Sequence, residues 1–225
     1  MALTRAQAKT FYDRFGSKQD AQSFYEDAAL DDLIAHASFE QANAVVELGC
    51  GTGRFALRLL AKHLPASATY LGTDLSQTMI DLARQRLSPY PDRAKVVLSD
   101  GALRFSLPDH SVDRVVSTYV LDLLSETDIR EVIAEARRVL VPGGKLCLVG
   151  LVPGPTFSSR IVSALWSAIY SLDAKLVGGC RPVRLDPFLD DHSWDDKSWA
   201  IDYRHVVTRF GIPSGVIIAS PKRDP

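Results

Sequence analysis

Through the middle of the chain, short unbroken apolar runs alternate with segments whose apolar residues recur every three or four positions. Ala44-Val45-Val46-Glu47-Leu48 is too short for a helix and ends in glycines, so it predicts a buried strand. From Arg54 to Leu64, the residues Phe55, Leu57, Leu59, Leu60 and Leu64 predict a helix that Pro65 closes. Thr69-Tyr70-Leu71-Gly72-Thr73 has strand character again, and Ser76 then N-caps a helix carrying Met79, Ile80, Ala83 and Leu87. Lys95 to Leu98 and Val112 to Thr118 are two further β-rich runs. Ser125-x-x-Asp128 has the form of a capping box, and Ile129, Val132, Ile133, Ala136, Val139 and Leu140 share one helix face behind it. Pro142-Gly143-Gly144 is expected to stop that helix, with Lys145 to Val152 as the next strand.

Strands that alternate with helices in this way indicate βαβ units and a mainly parallel sheet covered on both faces. The pattern changes after residue 153. Phe157 to Val177 is largely apolar, with only Arg160, Asp173 and Lys175 charged, and a polar, Asp-rich stretch from 181 to 200 follows. Ile201 to Phe210 and Gly215 to Ala219, joined by Gly211-Ile212-Pro213-Ser214, predict a closing hairpin. Residues 1–40 read as an amphipathic helical lead-in, so the expectation is a single domain over 1–225.

Composition narrows the class without naming a chemistry. The 225 residues carry 26 Lys+Arg against 27 Asp+Glu, a net charge of −1, with 46% hydrophobic and 24% charged residues. This is ordinary globular composition, and it lacks the basic excess of a protein that holds nucleic acid by bulk charge. The start MALTRAQAKTFYDRFG has no apolar signal core, and no run nears the roughly 18 apolar residues of a spanning helix. The expectation is a soluble, cytoplasmic protein. Cys50, Cys147 and Cys180 form no C-x-x-C pair, so neither a disulfide framework nor a zinc site is expected.

Glu47-Leu48-Gly49-Cys50-Gly51-Thr52-Gly53 lies between a predicted strand and a predicted helix. Glycines there allow a tight turn and let backbone N–H groups approach a ligand at a helix N-terminus. A tight turn with no ligand is the plainer alternative. The dinucleotide fingerprint G-x-G-x-x-G would need glycine at position 54, where the chain has Arg54. No Gly-Lys-Ser/Thr follows, so the Walker pattern fails as well.

The run Glu47-x-Gly49-x-Gly51-x-Gly53 resembles motif I of the class I S-adenosylmethionine-dependent methyltransferases. Gly72-Thr73-Asp74-Leu75-Ser76 resembles that family's second-strand acid, Ser99-Asp100-Gly101 its third-strand acid, and Asp113 to Thr118 its fourth-strand motif. Leu140-Val141-Pro142-Gly143-Gly144-Lys145-Leu146 is similar to its turn into the fifth strand. The likeness runs in order over about residues 10 to 152. Phe11-Tyr12-Asp13-Arg14-Phe15 further resembles the lead-in of quinone-pathway and type 11 small-molecule methyltransferases.

The resemblance implies a Rossmann-like seven-stranded α/β sheet, with helices on both faces and an antiparallel C-terminal hairpin. Residues 1–40 become a lid, 41–152 the cofactor-binding core, 153–200 the substrate side and 201–220 the hairpin. It implies S-adenosyl-L-methionine as cofactor, held by Tyr12, Glu47, Gly49, Cys50, Gly51, Gly53, Asp74, Leu75, Met79, Asp100, Gly101, Ser117 and Thr118. Asp74 stands 21 residues past Gly53 at a strand end, where a carboxylate reaches ribose hydroxyls. By family analogy Asp100 accepts the adenine amino group, Gly101 reaches the ring, and Leu75 and Met79 pack on its faces. Glu47 would favour the positive charge at the methionine end. A turn or N-cap role is the alternative for each Asp.

Asp122 and Tyr119 are the candidate catalytic residues. Relatives often carry a V-L-H-H-L segment after the fourth strand, whereas this chain reads Val120-Leu121-Asp122-Leu123-Leu124, so the histidine pair is absent. Asp122 is either a base or orienting group for the acceptor or a structural aspartate, and Tyr119 either lines the methyl channel or is core. Tyr12 either contacts the cofactor's carboxylate end or belongs to a plain amphipathic helix.

Ile161, Leu165, Ile169, Leu172 and Leu176, widened by Val162, Trp166 and Tyr170, make an apolar stripe that is core, acceptor pocket or membrane-surface contact. Asp190, Asp191, His192, Asp195 and Asp196 have no recognisable ligand spacing, so no metal is expected. His36, His63, His110 and His205 are scattered and unassigned. The expected function is methyl transfer to a small, apolar organic molecule by alignment, with a small-molecule partner and no nucleic acid. The alternatives are a membrane lipid or quinone methyltransferase and a non-catalytic module that binds the same cofactor.

Overall fold

The computed structural model describes residues 4–154, Ala168, Tyr170, 180–189 and 199–222. The strands are β1 (Ala44–Leu48), β2 (Thr69–Asp74), β3 (Ala94–Leu98), β4 (Val112–Thr118), β5 (Leu140–Leu151), β6 (Trp199–Arg209) and β7 (Ile212–Pro221). They form one sheet in the order β3-β2-β1-β4-β5-β7-β6. The first five run parallel, while β7 is antiparallel to both β5 and β6. The described helices are α1 (Arg5–Phe15), α2 (Ser23–His36), α3 (Arg54–Lys62), α4 (Gln77–Arg86), α5 (Glu126–Val139) and α6 (Asp186–Leu189). This is the Rossmann-like α/β architecture that the sequence predicts.

Alternation along the strands divides the apolar residues between two layers. Val45, Val116 and Cys147 pack with α2, α3 and α4 on one face. Val46, Val115 and Leu148 pack with Ile129, Val132 and Ala136 of α5 on the other. Both faces are covered, which is why these strands read as continuous apolar runs. Strand order reverses between β1 and its neighbours β2 and β4, and α/β proteins place their ligands in the crevice beyond such a reversal.

The predicted N-caps hold. Ser76 Oγ accepts from the Met79 amide at 3.2 Å, and Ser125 Oγ accepts from the Asp128 amide at 3.1 Å. Two boundaries differ from the sequence reading. Helix α5 ends at Val139, before the Pro-Gly-Gly turn, because Leu140 already has extended backbone and pairs with Val112. The ladder then shifts so that Lys145 faces Arg114, and residues 142–144 form an irregularity within β5. The C-terminal hairpin turns on Phe210 and Gly211 alone, both at positive φ (49° and 78°), with Arg209 opposite Ile212. Ile212, Pro213 and Ser214 belong to β7. The glycine and proline there resemble a longer loop, whereas a left-handed pair closes the tighter turn.

The N-terminal segment, expected from the sequence to be a lid, runs through α1, a 3-10 turn (Gly16–Gln22) and α2. Arg54 at the start of α3 pairs with Asp27 and Glu26 of α2, and Arg58 pairs with Asp31. Arg86 of α4 holds Asp20 at 2.6 Å, and Ser76 Oγ donates to Asp13 at 2.6 Å. The 157–177 stripe, apart from Ala168 and Tyr170, and the acidic run 190–196 lie outside the described residues.

Candidate cofactor and acceptor site

The glycine loop leaves β1 and folds back on the end of β2. Gly49 and Cys50 donate their amides to the Thr73 carbonyl at 2.8 and 2.9 Å. Gly49 has φ +73°, and a Cβ there would stand 2.3 Å from Val120 Cγ2, in the segment after β4. Gly51 has φ +52°, and a Cβ there would meet the Gln19 amide of the lid at 3.0 to 3.4 Å. These glycines let the segment after β4 and the Gln19 side chain pack directly against the loop.

Asp74 ties that closure together. Its Oδ2 accepts from the Gly51 amide at 3.0 Å and its Oδ1 from the Ser76 amide at 2.9 Å. Each carboxylate oxygen keeps a further lone pair for a ligand hydroxyl. Burial raises the Asp74 pKa despite these bonds. Asp74, Leu75, Ser99, Gly101 and Leu103 line one end of a cavity that continues past Gly49 to Tyr12, Tyr119 and Val120. A smaller cavity under the loop is lined by Glu47, Gln19, Glu26, Cys50, Gly51 and Arg54.

Glu47 is 1% exposed. Tyr70 Oη donates to its Oε2 at 2.5 Å and Thr118 Oγ1 to its Oε1 at 3.5 Å. Desolvation pushes its pKa up to about 7, against the pull of those hydroxyls. A buried carboxylate without a cation is costly, and a positively charged ligand group lowers that cost.

Tyr119 follows β4 with φ +56°, rare for a bulky residue and a store of local strain. Its amide donates to the Val149 carbonyl at 2.7 Å and its hydroxyl to Ser214 Oγ at 2.9 Å. The ring lines both cavities. Asp122 lies in the next turn and is 1% exposed. Its Oδ2 accepts from the Leu151 amide at 3.4 Å and its Oδ1 has no partner, while Cys180 is hydrogen-bonded to the carboxyl. Burial pushes Asp122 up to about 7. It is not a wall residue of either described cavity.

The remaining predicted residues divide between wall and interior. Tyr12, Gly49, Leu75, Gly101 and Thr118 join Asp74 on the main cavity wall. Met79 is fully buried and Ser117 is 1% exposed, with its Oγ directed to the Leu48 carbonyl. Gly53 caps α3 and packs against Ala83. Asp100 is exposed, and its Oδ1 accepts from the Ala102 amide at 2.8 Å. Sequence reasoning missed Gln19 and Glu26, because neither lies in the 11–15 lead-in nor in a cofactor motif. The signal available was charge: lid acids Asp20, Glu26, Asp27 and Asp31 against Arg54, Arg58 and Arg86 in the core. Among the described residues, no group of three or more His, Cys, Asp or Glu is arranged to hold a metal, and no helix is long and apolar enough to cross a membrane.

Residues 45–144 match the family described as "Methyltransferase domain". The chain is 26% identical over 176 residues to a demethylmenaquinone methyltransferase of Symbiobacterium thermophilum, covering 74% of this chain and 68% of that one. It is 32% identical over 176 residues to a malonyl-[acyl-carrier protein] O-methyltransferase of Marinomonas, covering 78% of this chain and 60% of that one. Across the curated relatives the chain spans from 34% to 68% of their length. Its fold is similar to geranyl diphosphate C-methyltransferase of Streptomyces coelicolor (TM-score 0.64, 16% identity), over 86% of this chain and 78% of that one. It is also similar to the [4+2]-cyclase SpnF (TM-score 0.61, 16% identity), over 97% of each chain, so the fold alone does not fix a reaction.

The residues present fit the cofactor that the motifs imply: a loop with glycine at alternate positions, the Asp74 carboxylate bonded to its Gly51 amide, and the buried Glu47 beneath it with only hydroxyl partners. Residues 45–144 thus match a methyltransferase domain, and in its ordered motifs, its sheet and its relatives the chain is similar to the class I S-adenosylmethionine-dependent methyltransferases, whose cofactor is S-adenosyl-L-methionine.

Proposed function

We propose that the protein transfers a methyl group from S-adenosylmethionine to a small, apolar organic acceptor. The observation that carries this reading is the cavity itself, which runs from Asp74 past Gly49 to a wall of Tyr119, Val120, Leu123 and Leu124. One end offers a carboxylate and backbone groups to a nucleoside, and the other offers hydrocarbon to an acceptor.

The cofactor supplies an already activated methyl group on a sulfonium sulfur. The protein's task is therefore to align the acceptor and keep water out. Asp74 holds the ribose hydroxyls, Leu75 and the Gly101 backbone meet the base, and Glu47 favours the cationic end. Tyr12 closes the cavity from the lid, and Tyr119, fixed by Ser214 and Val149, sets its wall beside the acceptor. Asp122, just behind the wall residue Leu123, is the candidate base for an acceptor that must lose a proton, provided that the acceptor reaches past that wall. Its unpartnered Oδ1 and its pKa of about 7 suit that role near neutral pH.

The names of the relatives favour a narrower acceptor, a demethylated quinone or an acyl thioester acid, and these belong in the first substrate panel. The test is transfer of labelled methyl from S-adenosylmethionine across small phenols, quinols, carboxylic acids and amines. Label in an organic product supports the proposal. Tight S-adenosylhomocysteine binding with a blank panel favours a non-catalytic cofactor-binding module.

A further inference from the structure

Asp122 precedes the wall residue Leu123 and is 1% exposed, so an acceptor that stops at that wall does not touch it. Cys180 stands between the two. The backbone around it is tied to this spot: the Arg181 amide donates to the Asp122 carbonyl at 3.1 Å and the Val183 amide to the Leu151 carbonyl at 2.8 Å. The Arg181 guanidinium donates to the Leu124 carbonyl at 2.6 Å. Cys180 is buried with Tyr25 and Leu151. Its thiol donates to the Asp122 carboxyl and its sulfur accepts from the Tyr12 hydroxyl. Tyr12 in turn is a wall residue of the main cavity. A thiol and a phenol can each donate and accept at once, so the three side chains make one hydrogen-bonded line from the cavity to the buried acid. Around Asp122, Arg181 favours its ionised form and Glu26 of α2 opposes it, with Tyr25 and Tyr119 as further titratable neighbours. Burial raises the pKa of both Tyr12 and Cys180, so Asp122 is the member of the line that keeps a proton passed to it.

We propose that Tyr12, Cys180 and Asp122 form a proton relay that carries the proton of a hydroxyl acceptor from the cavity to the buried carboxylate. As the acceptor oxygen bonds to the methyl carbon, its O–H proton passes to Tyr12 Oη, the Tyr12 proton to Cys180 Sγ and the Cys180 proton to Asp122. The electron pair of the broken methyl–sulfur bond stays on the cofactor sulfur. Tyr12 and Cys180 end as they began, and Asp122 ends neutral. The inference rests on the reading of Asp122 as the base.

Infrared spectra of the free protein at pH 8 test the line without turnover. The S–H band that is lost in Cys180→Ala belongs to Cys180. It is expected to move to higher frequency in Asp122→Asn, where a neutral amide replaces the charged acceptor, and an unmoved band overturns the relay. Labelled-methyl transfer to a phenol and to a carboxylic acid, which enters as a carboxylate with no proton to lose, tests the step itself. Cys180→Ala is expected to slow the phenol on the order of 100-fold more than the carboxylate, and to abolish the rise of phenol turnover with pH through about 7. Cys180→Ser, whose hydroxyl both donates and accepts, is expected to restore most of the phenol rate. Equal slowing of both acceptors, or no rescue by serine, makes Cys180 a packing residue and overturns the relay while methyl transfer stands. Wild-type transfer to carboxylates alone does the same. A wild type that methylates neither acceptor overturns the relay and the proposed function together.

Discussion

Tyr70 Oη donates to Glu47 Oε2 at 2.5 Å from the neighbouring strand, directly beneath the glycine loop. Gly72 stands opposite Glu47 in the parallel ladder, and a Cβ there would lie 2.9 Å from the Tyr70 hydroxyl. The missing side chain is what lets the tyrosine reach across to the acid. A single buried hydroxyl thus offsets part of the desolvation that pushes Glu47 up to about 7.

Removing it in Tyr70→Phe is expected to raise the Glu47 pKa further. At pH 7 less of the acid is then ionised, so S-adenosylhomocysteine affinity drops severalfold, and recovers as pH is raised. Titration at pH 6, 7 and 8 reads this. An unchanged pH profile in the variant contradicts the role given to the pair.

Stability should respond to the same buried acids. Glu26, Glu47 and Asp122 each have a folded pKa of about 7, against ordinary values of 4.5, 4.5 and 3.8. The folded state therefore holds more protons than the unfolded one between those limits. Their contribution is fully present below about pH 4 and is lost as pH rises through 7. Urea midpoints are expected to fall from pH 5 to pH 8, and Glu47→Gln should flatten that slope. A midpoint that rises over this range in wild type contradicts the assignment.

Gly49→Ala puts a methyl group 2.3 Å from Val120 Cγ2 at a residue with φ +73°. We expect a loss of about 1–3 kcal/mol in urea unfolding. Val120→Ala in the same chain should restore only the steric part, because the left-handed backbone strain remains. Full stability in Gly49→Ala means that the loop adopts another path.

Arg54→Ala removes the guanidinium that Glu26 and Asp27 share and leaves Glu26 buried without a cation. The expected cost is about 1–3 kcal/mol, concentrated in the lid. Hydrogen exchange should quicken in α2 while β1 and β4 stay protected, and uniform protection contradicts the view of Arg54 as the lid's latch.

Asp122→Asn keeps the shape of the side chain and removes its ability to take a proton. For a hydroxyl acceptor, turnover is expected to fall on the order of 100-fold with S-adenosylhomocysteine affinity unchanged. Wild-type turnover should climb with pH through about 7. Full activity in the variant leaves Asp122 as a structural residue bonded to Leu151 and Cys180.

Most of the fold was legible because periodicity and capping are local signals. The runs 44–48, 69–73 and 112–118, and the caps Ser76 and Ser125, stand where the pattern placed them. The hairpin turn and the end of α5 were less legible, since ladder register at Leu140 and Phe210 is decided by the partner strand. The cofactor side was written in motifs, and Gly49, Asp74, Leu75 and Gly101 do converge on one cavity. Gln19, Glu26 and Tyr70 were not readable, because each acts across 23 or more residues of sequence through a contact that only folding creates.

The central claim is that this loop binds S-adenosylmethionine through Asp74. Calorimetric titration of wild type and Asp74→Ala with S-adenosylhomocysteine, with NADPH as the control ligand, tests it most directly. The account predicts one-site binding of S-adenosylhomocysteine by wild type, weakened by about 1–3 kcal/mol in the variant, and no NADPH binding. Tight NADPH binding with none for S-adenosylhomocysteine, or equal affinity in wild type and Asp74→Ala, contradicts it.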